Sequence, residues 1–374
     1  MNKALKKISS KLHLWLGLGS GIIVFVIAIT GCLWVFQEEV TIMIEGERIV
    51  EAQETSFISA EVAHDIAKTV FPDRVIHGTI FGQKTDQVEV VFYEADPEFY
   101  RSVFLNPYSG EILDVKNHRE GFFWFVLQGH LYLWMPPDIG IQFTKYGTMI
   151  FVVLLLTGMI LWWPKTKKAF KRSITFNWKE KTKWKKKNYD LHNILGFYSS
   201  SLAFLIAYTG LIMAFGWVAF LTYKALGGDK SPQFITPDNV SEVVEMVDDG
   251  EKPINKIVPM LRTKYPNYDT IELHYPENDT SSILVEMSTK EGVYYDTEYL
   301  FYDQYTMEEL ETTSIYGKTE NAGFADRVMR MYYDIHVGAI GGLPGKIIAF
   351  FISLLTASLP VTGFLFWYGR SFKS

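Results

Sequence analysis

"LHNILGFYSSSLAFLIAYTG", residues 191–210, is an apolar stretch of membrane length that opens on a histidine and closes on Thr-Gly. The same frame appears near the N-terminus as "LHLWLGLGSGIIVFVIAITG", residues 12–31, with sixteen residues between histidine and threonine in both. An ionisable imidazole at such a place costs free energy unless it has a partner or a task. Two further apolar runs carry a looser version. "GHLYLW" at 129–134 leads, 27 residues after His130, to Thr157-Gly158, and "IHVGAI" at 335–340 leads, 26 residues after His336, to Thr362-Gly363. In these two a Gly/Pro-bearing break ("MPPDIG" at 135–140, "GGLPG" at 341–345) separates the histidine from its apolar run.

The four runs lie at about 14–36, 143–163, 194–221 and 347–368. Each is near the length that crosses a hydrocarbon core of roughly 30 Å. Trp15, Trp34, Trp162, Trp163, Trp367 and Tyr368 sit at their ends, where amphipathic rings favour the interface. The chain therefore reads as a polytopic membrane protein. "ITGC", ending at Cys32, has the look of a lipoprotein cleavage box, but the apolar run continues through "LWVF" and Thr-Gly recurs where no cysteine follows. A single cysteine excludes a disulfide framework.

Charge sets the orientation. Residues 164–188 carry eleven Lys or Arg against the single Glu180, and Lys3, Lys6, Lys7 and Lys11 precede the first span. Residues 37–120 hold 17 acidic and 7 basic side chains, and residues 227–333 hold 21 and 9. The positive-inside rule places both termini and the basic loop in the cytoplasm and the two acidic segments outside. The net charge of −6 averages these opposed regions and gives no support for nucleic-acid binding. The basic loop is a topology signal beside anionic lipid.

Spans one and three match, as do spans two and four, so the chain reads as a tandem duplication with a pseudo-two-fold axis along the membrane normal. The expected order is a first span (1–37), an external α+β domain (38–120), the His130 segment with the second span (121–164), a basic loop (165–190), a third span (191–226), a second external α+β domain (227–330), and the His336 segment with the fourth span (331–374). The external segments each predict a helix, at 59–70 and 253–264, followed by alternating strand-like stretches such as "QVEVVFYEA" and "SSILVEMS". Asn106-Pro107-Tyr108-Ser109-Gly110 supplies turn chemistry in the first.

His13 and His192 belong near the inner face and His130 and His336 near the outer one, giving one pair on each side. A lone histidine at an interface ordinarily snorkels or bonds a neighbouring helix. Four of them, in two matched spacings, suit a porphyrin held by two axial imidazoles at each face. Gly17, Gly19, Gly21, Gly196 and Ser199 to Ser201 would let a flat macrocycle lie between helices, though small residues also serve plain helix packing. His64, His77, His118 and His274 have no repeat partners and read as ordinary surface or core residues, with His118 close enough in sequence to His130 to supplement the outer site. The sequence carries no dinucleotide fingerprint, P-loop, His-Glu-x-x-His or cysteine pair. Catalytic side chains are therefore not expected, and electrons would come from quinol or a cytoplasmic reductase.

The Leu-His starts, the four Thr-Gly pairs, "GHLYLW", "DIHVGAIGG" and "NPYSGEIL" resemble the PepSY-associated transmembrane helix family, which includes inner-membrane ferric-siderophore reductases. The resemblance covers nearly the whole chain. It implies four transmembrane helices, periplasmic PepSY-like domains, and two b-type haems with His13, His130, His192 and His336 as axial ligands to iron. It further implies a bacterial inner-membrane oxidoreductase that reduces iron in a siderophore. The second external segment departs from the PepSY signature, with "DQYTMEEL" at 303–310 in place of the Pro and Gly of the turn. Two other classes fit the same segments: a regulatory or peptidase-binding PepSY membrane protein without redox activity, and a divalent-metal permease.

Overall fold

In a computed structural model, residues 3–241, 252–290 and 292–371 are described. The chain opens with helix α1 (Lys3–Trp34) and a short α2 (Gln37–Glu45), followed by α3 (Ala60–Val70). Four strands come next: β1 (Ile76–Phe81), β2 (Val88–Ala95), β3 (Glu98–Leu105) and β4 (Ile112–Asn117). Helices α4 (Gly121–Tyr132), α5 (Pro137–Trp162), α6 (Lys167–Ser173), α7 (Trp184–Ala214) and α8 (Gly216–Ala225) lead to α9 (Pro253–Lys264). A second run of strands follows, β5 (Thr270–His274), β6 (Ile283–Ser288), β7 (Glu298–Tyr302) and β8 (Glu309–Leu310). The chain closes with α10 (Phe324–Arg330), α11 (Tyr332–Val337) and α12 (Gly342–Ser371).

These elements form two compact units. One comprises residues 1–40, 122–219 and 332–374, the other residues 41–121 and 220–331. In the helical unit α1, α5, α7 and α12 are each long and apolar enough to cross a membrane. They close a ring in which α1 packs on α5 and α12, and α7 packs on the same two. The third membrane helix, expected to follow its apolar run to residue 221, ends at Ala214. Phe215 turns to extended backbone (φ −133°, ψ 106°), and Gly216 opens a separate helix. Apolarity runs through this junction unbroken, so hydropathy could not locate it.

Each break falls between the histidine and its span, but ahead of most of the Gly/Pro stretch, since α5 takes in residues 137–140 and α12 residues 342–345. After α4, Leu133 and Trp134 take left-handed φ values of 53° and 56°. After α11, Gly338 does so at 81°. Its ideal Cβ would lie 2.6 Å from the Gly345 carbonyl oxygen, so no other residue fits there unchanged.

The sheet unit departs from the expectation of two separate α+β modules. All eight strands form one antiparallel sheet in the order β4-β3-β2-β1-β5-β6-β7-β8. The two four-stranded halves meet edge to edge through β1 and β5, with Thr79 opposite Leu273. Both residues lie seven positions after an aromatic-Pro pair, Phe71-Pro72 and Tyr265-Pro266. An edge left open would present unpaired backbone groups, and joining β1 to β5 satisfies both edges at once. Ala60, Ala63 and Ala67 of α3 and Ile257, Val258 and Leu261 of α9 are buried in one continuous core with Phe81, Val90, Phe92, Leu273, Val285 and Leu300. The alanines recur at helical spacing, which lets α3 approach the sheet closely. Ser59 caps α3 by accepting from the Val62 amide at 3.3 Å.

The turn that lacks Pro and Gly in the second half keeps the geometry of the first. Asn106 Oδ1 accepts from the amides of Tyr108 and Ser109 at 2.9 and 3.2 Å. Asp303 Oδ1 accepts from those of Tyr305 and Thr306 at 2.9 and 3.0 Å. Met307, at φ 60°, adopts the left-handed conformation that Gly110 adopts at 74°. An Asx side chain is enough to hold this turn, and methionine bears the backbone cost.

Candidate functional site: two histidine pairs latched by Thr-Gly

Each membrane histidine reaches a Thr-Gly pair on another helix. His13 Nδ1 lies 3.1 Å from both the Leu154 carbonyl oxygen and Thr157 Oγ1. His130 Nδ1 lies 3.0 Å from the Ile27 carbonyl oxygen and 3.3 Å from Thr30 Oγ1. His336 Nδ1 lies 2.9 Å from the Ile206 carbonyl oxygen and 3.2 Å from Thr209 Oγ1. His192 Nδ1 lies 3.0 Å from Thr362 Oγ1. In the first three the carbonyl is three residues before the threonine.

This arrangement fixes the tautomer. A carbonyl oxygen only accepts, so Nδ1 carries the proton in His13, His130 and His336; Thr362 Oγ1 donates to the Ser358 carbonyl at 2.9 Å, so His192 Nδ1 donates to it, and in all four Nε2 keeps its lone pair. Each threonine hydroxyl donates into its own helix, as Thr157 does to the Val153 carbonyl at 2.8 Å, and so is oriented to accept from the imidazole. Among the described residues none hydrogen-bonds Nε2 of any of the four.

The glycines make room for the rings. An ideal Cβ on Gly158 would lie 3.1 Å from His13 Cε1, and one on Gly31 3.1 Å from His130 Cε1. On Gly210 and Gly363 it would lie 3.2 Å from Cε1 of His336 and His192. Threonine thus supplies the acceptor and glycine the space. The even spacing in α1 and α7 has the same origin. His13 to Gly31 and His192 to Gly210 are both 18 residues, which is five turns at 3.6 residues per turn, so histidine and glycine return to one helix face. In the other two segments the helix is broken between histidine and glycine, and the spacing is free to differ.

The latches join elements within each half of the chain, and the histidines then meet across the halves. His13 and His192 have ring centroids 6.2 Å apart, and His130 and His336 have theirs 6.1 Å apart. Two imidazoles coordinating one metal from opposite sides at about 2.0–2.1 Å per nitrogen place their centroids about 6 Å apart. A cavity of about 280 Å³ adjoins His130 and His336, walled by apolar side chains such as Val24, Ile27, Ala207 and Ile352. Thr356 Oγ1, in its wall, is buried without a hydrogen-bond partner. The donor set, the tautomer and the centroid spacing are those that would suit two imidazoles sharing one metal centre in each pair, and at His130 and His336 an apolar cavity adjoins them.

His118 has another task. Its ring stacks on Tyr100 at 4.3 Å and its Nε2 shares a 2.7 Å hydrogen bond with Ser102 Oγ. Burial, with Lys116 and Arg48 nearby, pushes it down to about 4, so it is neutral at physiological pH. The sheet also gathers residues that sequence reading passed over: His77, Glu272 and His274 have ligand atoms within 4.8 Å of one another. The alternation in "TIELH" puts Glu272 and His274 on one face, but nothing in periodicity brings His77 to them.

A four-helix multi-pass membrane protein with two internally latched histidine pairs is the class that this fold and site define. The chain matches the family model of the PepSY-associated TM region over residues 10–370, and it belongs to that family. No curated protein matches it.

Proposed function

We propose that the protein carries electrons across a bacterial inner membrane through two b-type haems and reduces ferric iron held in a siderophore on the periplasmic side. The observation that carries this reading is the fourfold latch, which commits every Nδ1 and leaves four Nε2 atoms grouped as two pairs. His13 and His192 would hold one haem, and His130 and His336 the other. Bound there, the haem iron supplies one-electron chemistry. The chain's own part is to hold the imidazoles as neutral ligands, to raise their basicity through the Nδ1–H···O=C bonds, and to surround them with apolar side chains. His13 and the Thr30-Gly31 latch lie 17 to 18 residues apart on α1, so the two sites are separated by roughly 26 Å along that helix.

In this reading the termini and the 165–190 loop are cytoplasmic and electrons enter from quinol or a cytoplasmic donor at the His13–His192 pair. The sheet unit is two PepSY-like domains, and the repeated strand order and turn geometry support a tandem duplication. One electron reduces the ferric chelate to the ferrous state, in which hard oxygen ligands bind more weakly. No acid, base or nucleophile is required.

The experiment is a reduced-minus-oxidised visible spectrum with a haem count, followed by anaerobic addition of ferric chelates and trapping of ferrous iron. Two haems per chain and their reoxidation by a hydroxamate or catecholate chelate are expected. His13→Ala is expected to remove one haem and leave the other reducible by dithionite. A colourless protein would overturn the haem reading. Haems that stay reduced before every chelate would overturn the substrate.

A further inference from the structure

The sheet face opposite α3 and α9 carries a second ligand cluster, built independently of the membrane histidines. A bulge in β1, where the register against β2 shifts between Ile76 and Gly78, presents His77 as an extra residue. Bulges re-aim a side chain in this way. On β5, Glu272 and His274 project from the same face, and on β6 Glu286 stands directly opposite Glu272. His77 and His274 meet edge to face with centroids 4.9 Å apart.

Three features point to a cation. First, His274 Nδ1 lies 3.0 Å from the His77 carbonyl oxygen, so it carries the proton and leaves Nε2 as the ligand atom, by the same device that fixes the membrane histidines. Second, that Nε2 is buried without a hydrogen-bond partner, and carboxylate oxygens of Glu272 and Glu286 flank it at 3.6 and 3.5 Å. Like charges directly opposite on neighbouring strands repel, and these distances are too long for hydrogen bonds. They match ligand-to-ligand distances in a tetrahedral site, where donors at about 2.0–2.2 Å from zinc lie about 3.3–3.6 Å from each other. Third, position 78 is glycine. A Cβ there would lie 3.1 Å from Glu272 Oε1 and 3.3 Å from His274 Nδ1, inside the cluster. The exposed His77 leaves the site open to solvent on one side.

We propose that His77, Glu272 and His274, with the Glu286 carboxylate beside them, bind a divalent first-row transition-metal ion. Two imidazoles and carboxylate oxygen without thiolate suit zinc or ferrous iron rather than a hard ion such as magnesium.

The measurement uses tag-free, haem-loaded, full-length protein in detergent, stripped with a chelator and titrated with Zn(II) by calorimetry. Cobalt(II) serves as the spectroscopic probe of tetrahedral ligation. One zinc per chain is expected. Glu272→Gln, which keeps the side-chain shape, and His77→Ala, at an exposed position, should each weaken binding on the order of 100-fold, since changes to orienting partners alone cost roughly 10–100-fold. Gly78→Ala should weaken it without removing a ligand. All three variants should retain the wild-type haem count, which separates this site from the membrane pairs. The proposal fails if wild-type protein takes up no zinc at micromolar concentration. It also fails if the Gln and Ala variants bind zinc as tightly as wild type, which would place the zinc at other residues.

Discussion

Replacing Gly158 by alanine tests the latch at the His13–His192 pair. The new Cβ would lie 3.1 Å from His13 Cε1, whereas ordinary contacts begin at 3.4 Å. The ring must therefore retreat by about 0.3 Å or more, and it is held on the other sides. Its Nδ1 bonds to Leu154 and Thr157 are already 3.1 Å long, near the outer edge of good geometry, and retreat weakens them. Losing one such bond costs about 1 kcal/mol. Disturbing the orienting partner of a metal ligand costs roughly 10–100-fold in affinity, or about 1.4–2.7 kcal/mol. On the proposed two-haem reading, the haem at His13 and His192 in Gly158→Ala is expected to pass to a haem-scavenging protein 10- to 100-fold more readily than in wild type, while the other is retained. Gly363→Ala should act on the same haem, through His192. Gly369→Ala, at the end of a membrane helix and with nothing within 4 Å of its Cβ, is the control. If Gly158→Ala binds haem as firmly as Gly369→Ala, glycine is not there to seat the histidine, and the reasoning is refuted.

Three further outcomes follow from the same geometry. One alanine inserted between Gly21 and Thr30 turns His13 by 100° away from the face of Gly31; haem counting should show at least one haem lost. Gly110→Ala, at φ 74° and with its Cβ 2.6 Å from Ile66 Cδ1, should lower stability by about 1 kcal/mol or more; denaturant melts of the purified protein measure it. Burial raises the Asp303 carboxyl, but the amides of Thr306, Tyr305 and Ser241 outweigh this and hold it at about 2. Because its folded pKa lies below the unfolded one, Asp303 contributes about 2 kcal/mol above pH 4, and this is lost as pH falls from about 4 to 2. Asp303→Asn, which does not titrate, should remove that acid dependence and lower stability at neutral pH, because its amide nitrogen would face the Val240 and Ser241 donors that Oδ2 now satisfies.

What the sequence made legible was whatever a local period or a short motif encodes. The four spans, the helices at 60–70 and 253–264, and the breaks after His130 and His336 all express helical spacing or Gly/Pro chemistry. Thr-Gly was visible as a repeated pair, but its purpose was not, because its partner is a histidine about a hundred residues away or more. The junction of β1 with β5 was hidden for a similar reason: an edge strand looks the same whether it faces water or another edge. Phe215 breaks a helix inside an unbroken apolar run, and His77 reaches Glu272 only through a bulge. Both depend on tertiary context that no window of the sequence contains.

The latches and the pairs divide the work between near and far parts of the chain. His13 with Thr157, and His130 with Thr30, tie α1 to α5 and α4 within the first half; His192 with Thr362, and His336 with Thr209, do the same within the second. Each half can therefore orient two imidazoles by itself, but neither can face one against another. That happens only where His13 meets His192 and His130 meets His336. Because α1 and α7 each give a histidine to one pair and a Thr-Gly seat to the other, five rigid turns link the two sites in each helix. A rotation of α1 that misaligns His13 also shifts the seat of His130. The eighteen-residue spacing, the one strict distance in the pattern, is the distance that keeps both ends of these helices facing the interior together.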